Sequence, residues 1–270
     1  MFVIPFGFFG GAAAYDDDAQ AFFDAVEDGG DTLTVTEKTA VNTLVIDLKG
    51  YGLWTNMDVF YPFVGGTSTS TKWNLKDPRD LDAAHRINWY GSITYTNGVQ
   101  SAAGSSDYGW SNYNPNTYGT DNENFCFGGY SLTNNTSNGS LMGAESPGDN
   151  WAFYDYFNGN YLLKLGVASY QTGTSVGTDG LFIAGAFSNT HKVYRNGSNQ
   201  VLSSGTAADP FSNADFAILG NSAGASEGNP IANVSDRKYS FIFFYDGAMD
   251  SSEQDNFYTA ATTFNSTLSR

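Results

Sequence analysis

The sequence is poor in the residues that form disulfides, bind metals or contact phosphate. It has one cysteine, two histidines and 12 Lys or Arg residues against 28 Asp or Glu residues, a net charge of −16. Cys126 has no partner for an internal disulfide, and its apolar neighbours Phe125 and Phe127 predict a buried structural thiol. Contacts with phosphate and anionic lipid require Lys and Arg, so this balance argues against nucleic acid and membrane surfaces as partners. The negative charge needs no specific partner, because a net charge far from zero keeps a protein soluble.

Catalytic motifs are scarce as well. The sequence has no Walker loop, no Cys/His spacing suited to zinc and no His-Glu-X-X-His run. His85 and His191 are the only histidines that could activate a nucleophile such as Cys126, and they lie far apart in the sequence. The sequence therefore predicts a non-enzymatic protein with no catalytic residue, no metal site and no cofactor.

Residues 1–15 predict an anchoring arm. The stretch is apolar, but it is too short to span a bilayer and is interrupted by Pro5 and Gly7. Its run of alanines at 12–14 also suits a signal-peptidase site, although no basic residue precedes it. We favour an arm that docks on a partner chain over a signal peptide, because these apolar side chains need cover. The candidate anchoring residues are Phe2, Val3, Ile4, Phe6, Phe8 and Phe9.

Residues 16–60 predict a helical region. Asp16, Asp17 and Asp18 precede helix-forming residues, which favours a helix N-terminus over a calcium site. A second helix is predicted over residues 36–49, with Thr36 as its N-cap and Gly50 at its end. Its apolar residues recur at the spacing of one helix face: Val41, Leu44, Val45 and Leu48. The pattern fits helices that pack on the same chain and helices that pack on a neighbouring subunit.

Glycine and aromatic residues are abundant, with 31 Gly, 21 Phe and 17 Tyr. This composition favours strands and turns over long helices. Asn196-Gly197 separates two strand-like runs and predicts a β-hairpin, and Asn158-Gly159 predicts another. Further strand-like runs, separated by Gly, Asn and Ser, predict that residues 61–250 form an antiparallel β-sandwich.

A C-terminal helix, packed on the sandwich, is predicted over residues 251–270. Asp250 or Ser251 suits its N-cap, with Glu253 or Gln254 reaching back. Calcium bound by Asp246 and Asp250 is the alternative, but capping explains Asp250 without an ion. The predicted buried face of the helix comprises Phe257, Ala260, Ala261 and Phe264.

Residues 61–84 resemble part of a known group of proteins. They contain Tyr-Pro-Phe-Val-Gly-Gly and then Asn-Leu-Lys-Asp-Pro-Arg-Asp-Leu-Asp-Ala-Ala, and they follow Gly-Leu-Trp at the end of the helical region. This run is similar to a module of phage virion proteins that precedes a concanavalin A-like, laminin-G-like sandwich. A less specific similarity spans roughly residues 36–270, with the weakest match over 100–180, and includes Val-Tyr-Arg-Asn-Gly at 193–197. The resemblance implies a concanavalin A-like jelly roll on the particle surface, with the arm bound to other virion proteins.

Aromatic residues set among Gly, Ser, Asn and Pro form the candidate glycan-binding group. Exposed aromatic faces with neighbouring amides could stack on a sugar ring and form hydrogen bonds with it. The alternative, which we favour, is that these rings fasten a long loop to the sandwich or fill a subunit interface. The candidates are Trp110, Tyr113, Tyr118 and Tyr108.

Charged residues of the phage-like module form a second cluster. They suit either an oxygen-rich metal or sugar site, or a structural loop in which Arg side chains pair with carboxylates. We favour the structural loop, because Pro78 is typical of a turn. The cluster comprises Asp77, Arg79, Asp80, Asp82 and Arg86.

Taken together, these patterns predict an all-β, concanavalin A-like jelly-roll sandwich with a short helical N-terminal region and a C-terminal helix. We expect a non-enzymatic virion protein, either a capsid decoration or head fibre or a tail component, whose sandwich is exposed to glycans. One alternative is a receptor-binding tail lectin, and another is a secreted bacterial polysaccharide-binding protein or glucanase. The chain lacks the Glu-X-Asp-X-X-Glu run of laminarinase-like glucanases. Its many aromatic residues also predict a homo-oligomer.

Overall fold

The computed structural model describes residues 14–102, 106–146, 149–166, 170–202, 210–223, 227 and 231–270. Within these residues, two β-sheets face each other, and long helices cover the outer face of one of them. The predicted anchoring residues lie outside the described residues, so the N-terminal arm stays a prediction; they are Phe2, Val3, Ile4, Phe6, Phe8 and Phe9.

The seven-stranded sheet is antiparallel throughout. Its strands are β1 (Met57–Pro62), β3 (Val99–Gln100), β5 (Asn124–Ser131), β10 (Gly180–Phe187), β11 (Thr190–Arg195), β12 (Ser198–Gln200) and β16 (Lys238–Tyr245). Their order is β1-β16-β5-β10-β11-β12, with β3 paired to β16. Strands distant in sequence are therefore neighbours, so the sheet depends on long-range pairing.

The nine-stranded sheet is antiparallel except for one parallel pair, β14 with β6. Its strands are β2 (Asn88–Tyr90), β4 (Tyr108–Trp110), β6 (Met142–Ser146), β7 (Asp149–Phe157), β8 (Asn160–Leu165), β9 (Tyr170–Thr174), β13 (Ala217–Ile218), β14 (Asn221–Ala223) and β15 (Ile231–Ala232). The order is β2-β4-β13-β6-β7-β8-β9, and β15 joins through β14. An antiparallel two-sheet fold was predicted from the sequence, and this coarse prediction is confirmed.

Strand β10 shows how the layers are built. All of its residues are buried, so it does not alternate between apolar and polar. Leu181 and Ile183 point to the core under the helices, whereas Phe182 and Ala184 point to the core between the sheets. A central strand covered on both faces reads as a continuous apolar run, since successive side chains enter different cores.

Three long helices cover the seven-stranded sheet in the described part of the chain: α1 (Asp17–Asp28), α2 (Val35–Gly50) and α4 (Ser251–Thr267). The predicted buried faces of α2 and α4 are confirmed. Asp250 caps α4 with Glu253 reaching back, which is one of the predicted combinations. The predicted cap of α2 is wrong, because Thr34 rather than Thr36 forms a capping box with Glu37. A helix of one turn, α3 (Pro115–Tyr118), lies between β4 and β5.

Both predicted Asn-Gly hairpins are confirmed. Asn196 and Gly197 have φ values of 47° and 79° between β11 and β12, and Asn158 and Gly159 have 51° and 86° between β7 and β8. Two positive φ values in succession define the tight turn that Asn-Gly favours.

The predicted boundary between the helical region and the sandwich differs from the observed one. The seven-stranded sheet begins at Met57, inside the predicted 16–60 helical region.

None of the helices in the described residues is both long enough and apolar enough to cross a membrane.

Candidate functional site

The outer face of the nine-stranded sheet carries a small apolar cluster to which the long helices contribute no residue. The cluster comprises Ala152, Tyr154 and Leu162, with Phe157 packed against it. Side chains alternate along β7, so Phe153 points into the core between the sheets while Tyr154 points to the outer face. The long helices cover the outer face of the seven-stranded sheet. The small cluster lies on the outer face of the nine-stranded sheet, which the helices leave uncovered.

A cavity of 420 Å³ opens over this cluster, and we call it the β7–β8 cavity. Tyr154 and Leu162 are buried and form its floor. Partly or fully exposed side chains surround them, among them Phe157, Asn158, Asn160, Lys164 and Asn233. Small-molecule sites span roughly 300–1,000 Å³ and combine apolar walls with a few fixed polar groups. The cavity has both properties.

The local pairing of β7 with β8 aims the side chains at the cavity. Tyr154 faces Leu162 across the two strands, and Phe157 faces Asn160. The register shifts between Tyr154 and Phe157, which is the signature of a β-bulge. Bulges bend a strand and redirect its side chains. The bulge and the Asn158-Gly159 turn together place an aromatic ring and amides at one lip of the cavity.

The amide groups around the cavity are held by protein contacts. Asn138 Nδ2 donates to Asn158 Oδ1 at 2.9 Å, and the Asn158 backbone N–H donates to Asn138 Oδ1 at 2.8 Å. Asn160 Nδ2 donates to the Asn158 carbonyl at 3.1 Å, and Asn233 Nδ2 donates to Tyr154 Oη at 3.3 Å. A side-chain amide has two donors and two acceptor lone pairs. These contacts orient the amides and leave hydrogen-bonding capacity for a ligand.

Lys164 is the cation among the described residues that line the cavity. Its Nζ lies 2.8 Å from Glu145 Oε1 and 5.4 Å from the centre of the Tyr154 ring. Burial raises the pKa of Tyr154, and the nearby Glu145 charge raises it further. The phenol therefore stays neutral at physiological pH and remains a hydrogen-bonding group.

A buried ion pair lies beneath the outer face. Arg237 Nη1 is 2.9 Å from Asp155 Oδ1, and both side chains are fully buried. Tyr239 Oη donates to Asp155 Oδ2 at 2.7 Å, and an Arg237 N–H donates to the Ser137 carbonyl. Asp155 follows Tyr154 in β7, and Ser137 precedes the Asn138 that holds Asn158. The ion pair thus positions both the strand and the loop that form the cavity lip.

Three of the four aromatic residues predicted to face a sugar are buried. Trp110 and Tyr113 are 1% and 0% exposed, and Tyr108 is 7% exposed. Trp110 Nε1 donates to Asp215 Oδ2 at 3.1 Å, and Tyr113 Oη donates to Asp58 Oδ2 at 2.6 Å. The interpretation as exposed aromatic faces is therefore wrong for these three residues. The structural alternative describes them, because their rings fasten this stretch to the sandwich.

Tyr118 is the exposed member of that predicted group, at 42%. Its ring packs edge-on against His85, with ring centroids 4.4 Å apart. It lies in the short helix α3 and is not among the residues that line the β7–β8 cavity. The four predicted residues therefore do not form one exposed surface.

The charged cluster of the phage-like module is a network of ion pairs. Arg79 binds Asp77 through two N–H groups. Arg86 lies 2.5 Å from Asp80 and 3.0 Å from Asp82, and Lys72 lies 2.9 Å from Asp80. The structural alternative that the sequence favoured therefore describes this loop. Lys72 and Arg86 line a separate depression of 490 Å³, but their charges are already paired there.

Three serines lie in Gly-X-Ser-X-Gly runs, a pattern that marks the nucleophile of some hydrolases at a turn from strand to helix: Ser175, Ser222 and Ser226. Ser226 lies outside the described residues. Ser222 instead lies buried in β14, and its Oγ donates to the Asp215 carbonyl at 3.2 Å. Ser175 follows β9, and the next element is strand β10 rather than a helix. Neither Ser222 nor Ser175 has the backbone setting of a nucleophile.

Within the described ranges, no group of three His, Cys, Asp or Glu side chains is placed to hold a metal ion. The two carboxylates considered for calcium have other partners. Asp250 caps α4, and Asp246 accepts hydrogen bonds from the backbone and side chain of Thr120, at 2.9 and 2.7 Å.

No protein-family model matches the chain, and no curated protein matches it. Solved structures do match in fold. A Trypanosoma rangeli sialidase in complex with sialic acid superposes with a TM-score of 0.52 and 15% identity, over 77% of this chain and 34% of the sialidase. A mutant of that sialidase displaying trans-sialidase activity superposes with a TM-score of 0.50 and 14% identity, over 85% of this chain and 40% of the sialidase. A structure concerned with two ganglioside molecules in the cell entry of botulinum neurotoxin type C superposes with a TM-score of 0.50 and 12% identity. The match covers 80% of this chain and 52% of that chain.

At these identities the likeness concerns the fold alone. It agrees with a chain built mostly of β-sheets, two of which face each other. The chain spans 40% or less of the length of the sialidases, so their activity does not follow from the match.

Proposed function

We propose that this protein is a non-enzymatic carbohydrate-binding protein and that the β7–β8 cavity holds the glycan. The observation that carries the proposal is the combination of an apolar floor with oriented amides around it. A sugar ring has apolar C–H faces and many hydroxyl groups. Phe157 and Leu162 suit the apolar faces, and the side-chain amides of Asn158 and Asn160 suit the hydroxyl groups. Asn233 can add its side-chain oxygen as an acceptor, because its Nδ2 already donates to Tyr154 and Asn221.

Two structural neighbours support a glycan ligand at the level of the fold. The sialidase structure holds sialic acid, and the neurotoxin structure concerns gangliosides. We also propose that the sandwich is a concanavalin A-like jelly roll. The support is the two-sheet architecture, in which strands distant in sequence are neighbours.

The lack of enzymatic activity is part of the proposal. Glycoside hydrolysis generally uses two carboxyl groups on either side of the scissile bond. No carboxylate is found among the described residues that line the cavity, and the adjacent Glu145 is paired with Lys164 at 2.8 Å. Asp155 lies below the cavity and is fully buried. A bound glycan would meet amides rather than a catalytic pair.

The test compares Phe157→Ala with Tyr118→Ala. Both residues are aromatic and partly exposed, but Phe157 lines the cavity and Tyr118 is the exposed candidate from the sequence. A glycan array would first identify a ligand, and calorimetry would then compare the two variants after circular dichroism has shown that both are folded. We expect Phe157→Ala to weaken binding about tenfold, from the loss of an aromatic contact, and Tyr118→Ala to bind like the wild type.

The reverse pattern would move the site to Tyr118. Absence of saturable binding to any glycan would refute the proposed function. Release of reducing sugar from β-glucans would refute the non-enzymatic part and favour the glucanase alternative.

We further propose that the domain is displayed on a phage particle, as a capsid decoration, head fibre or tail component. The support is the sequence resemblance of residues 61–84. Antibody-gold labelling of intact particles tests the placement. Label on the head supports a decoration or fibre, label on the tail supports a receptor-binding lectin, and unlabelled particles favour a secreted glycan-binding protein. Light scattering would test the predicted homo-oligomer.

A further inference from the structure

The charged groups at the β7–β8 cavity are already paired. Lys164 and Glu145 have side chains that are 24% and 20% exposed, with Nζ and Oε1 2.8 Å apart. Lys164 also lies against the Tyr154 ring. A carboxylate on a ligand would have to compete with Glu145 for the Lys164 ammonium group. Because the ion pair is partly buried, Glu145 is screened less than a surface charge and would repel that ligand.

A second cation near the cavity is out of reach. Arg237 lies beneath the sheet, is fully buried and is bound to Asp155. Recognition of a carboxylate usually relies on an accessible Arg or Lys, because a charged and often bidentate hydrogen bond has to offset the desolvation of both groups. The other polar groups of the described cavity lining are uncharged amides and hydroxyls.

The charge of the whole chain acts in the same direction. A net charge of −16 produces a negative potential that lowers the local concentration of anions. Neutral sugars are unaffected by this field. Local pairing and overall charge therefore both select against an acidic ligand.

We infer that the β7–β8 cavity takes a neutral glycan and that the Glu145–Lys164 ion pair excludes acidic sugars such as sialic acid. The inference rests on the proposed function and names the ligand class at the same site. It also separates this chain from its neighbour in fold that holds sialic acid.

The experiment uses glycan pairs that differ by one terminal sialic acid, such as lactose and sialyllactose, drawn from an array so that several neutral cores are tested. We expect the wild type to bind the neutral member of a pair at least about tenfold more tightly, as one unfavourable charge contact at a partly buried site implies. Calorimetry at physiological salt measures the ratio of the two affinities.

The Glu145→Gln variant tests the ion pair directly. It keeps the shape of the side chain and releases Lys164, so we expect the affinity ratio to shift about tenfold toward the acidic member. Glu123→Gln is the matched control. It makes the same change in net charge at an exposed carboxylate outside the cavity, and it should leave the ratio at the wild-type value.

Two failures are distinguishable. If the wild type prefers the sialylated member, or if Glu145→Gln leaves the ratio unchanged, the neutral-glycan inference is overturned while Phe157-dependent binding still supports the cavity. If neither member of any pair binds, both the inference and the proposed function are overturned.

Discussion

Replacing Arg237 with methionine tests whether the buried ion pair stabilises the fold beneath the cavity. Arg237 and Asp155 are both fully buried, with Nη1 and Oδ1 2.9 Å apart. Methionine fills a comparable volume but carries no charge. The variant leaves the Asp155 carboxylate with the Tyr239 hydroxyl, at 2.7 Å, as its remaining side-chain donor among the described residues.

The expected loss is large for a single substitution. Removing one partner of a buried ion pair costs about 3–5 kcal/mol, because an uncompensated charge stays in the interior. In a chain of this size each kcal/mol lowers the melting temperature by roughly 2–4 °C, so we expect a decrease of roughly 6–20 °C. Thermal and urea unfolding followed by circular dichroism measure both quantities.

The loss should depend on pH. Burial raises the pKa of Asp155, and the Arg237 charge opposes that rise. Without Arg237, Asp155 in the folded protein holds a proton near neutral pH, whereas Asp155 in the unfolded chain is ionised at that pH. Stability of the variant therefore increases as the pH falls, and its deficit relative to the wild type should be smaller at pH 5 than at pH 7.5. Adding Asp155→Asn removes the buried charge and should restore most of the stability at pH 7.5.

A deficit below about 1 kcal/mol, of the size measured for exposed ion pairs, would contradict a buried ion pair, because it would mean that water reaches the two side chains. A deficit of equal size at pH 5 and pH 7.5 would contradict a buried pair as well. Either result would remove the argument that this pair positions the cavity lip.

Three further predictions concern single groups. Burial raises the pKa of Asp58 to about 6, above the unfolded value, so the stabilisation from its protonated form is complete below pH 4 and is lost as the pH rises through 6. Urea unfolding should show about 1 kcal/mol of stability lost between pH 5 and 7.5, after allowing for solvent screening. The Asp58→Asn variant should show no such loss. Burial raises the pKa of Cys126 to about 12, so a thiol reagent should react only after unfolding, and rapid reaction of the native protein would contradict the buried thiol. Asp250→Ala should cost about 1 kcal/mol in urea unfolding through loss of the α4 cap, and an unchanged stability would show that the cap adds nothing.

Local sequence chemistry accounts for the features that were predicted well. The turns at Asn158-Gly159 and Asn196-Gly197 need two residues that accept positive φ, and few other pairs do so at low cost. The cap at Asp250 needs a side-chain oxygen three residues before Glu253. Each of these depends on neighbours in the chain, so the sequence alone carries the information. The cap at Thr34 was missed for a small reason, since Thr34 and Thr36 are equally good cap residues and only the spacing to Glu37 separates them.

The directions of the aromatic side chains do not follow from local sequence. Composition predicts many rings but not the direction in which each one points. Burial of Trp110 leaves no unpaired polar group, because its indole N–H donates to Asp215, a residue 105 positions away. The Tyr154 and Phe157 rings were visible in the sequence only as part of a hairpin. Alternation along β7, together with the bulge between these two residues, directs both side chains to the outer face. A bulge leaves no clear signal in a single sequence, so this direction could not be predicted.

The β-rich character, the tight turns, the faces of the helices and the negative charge could all be predicted, because each follows from composition or from contacts between near neighbours. The sheet face that the helices cover and the residues that meet at the cavity depend on the three-dimensional fold. Glu145, Lys164 and Asn233 come from different strands and loops, and long-range strand pairing brings them together. Such pairing depends on the free energy of the whole fold, so no short stretch of sequence encodes it.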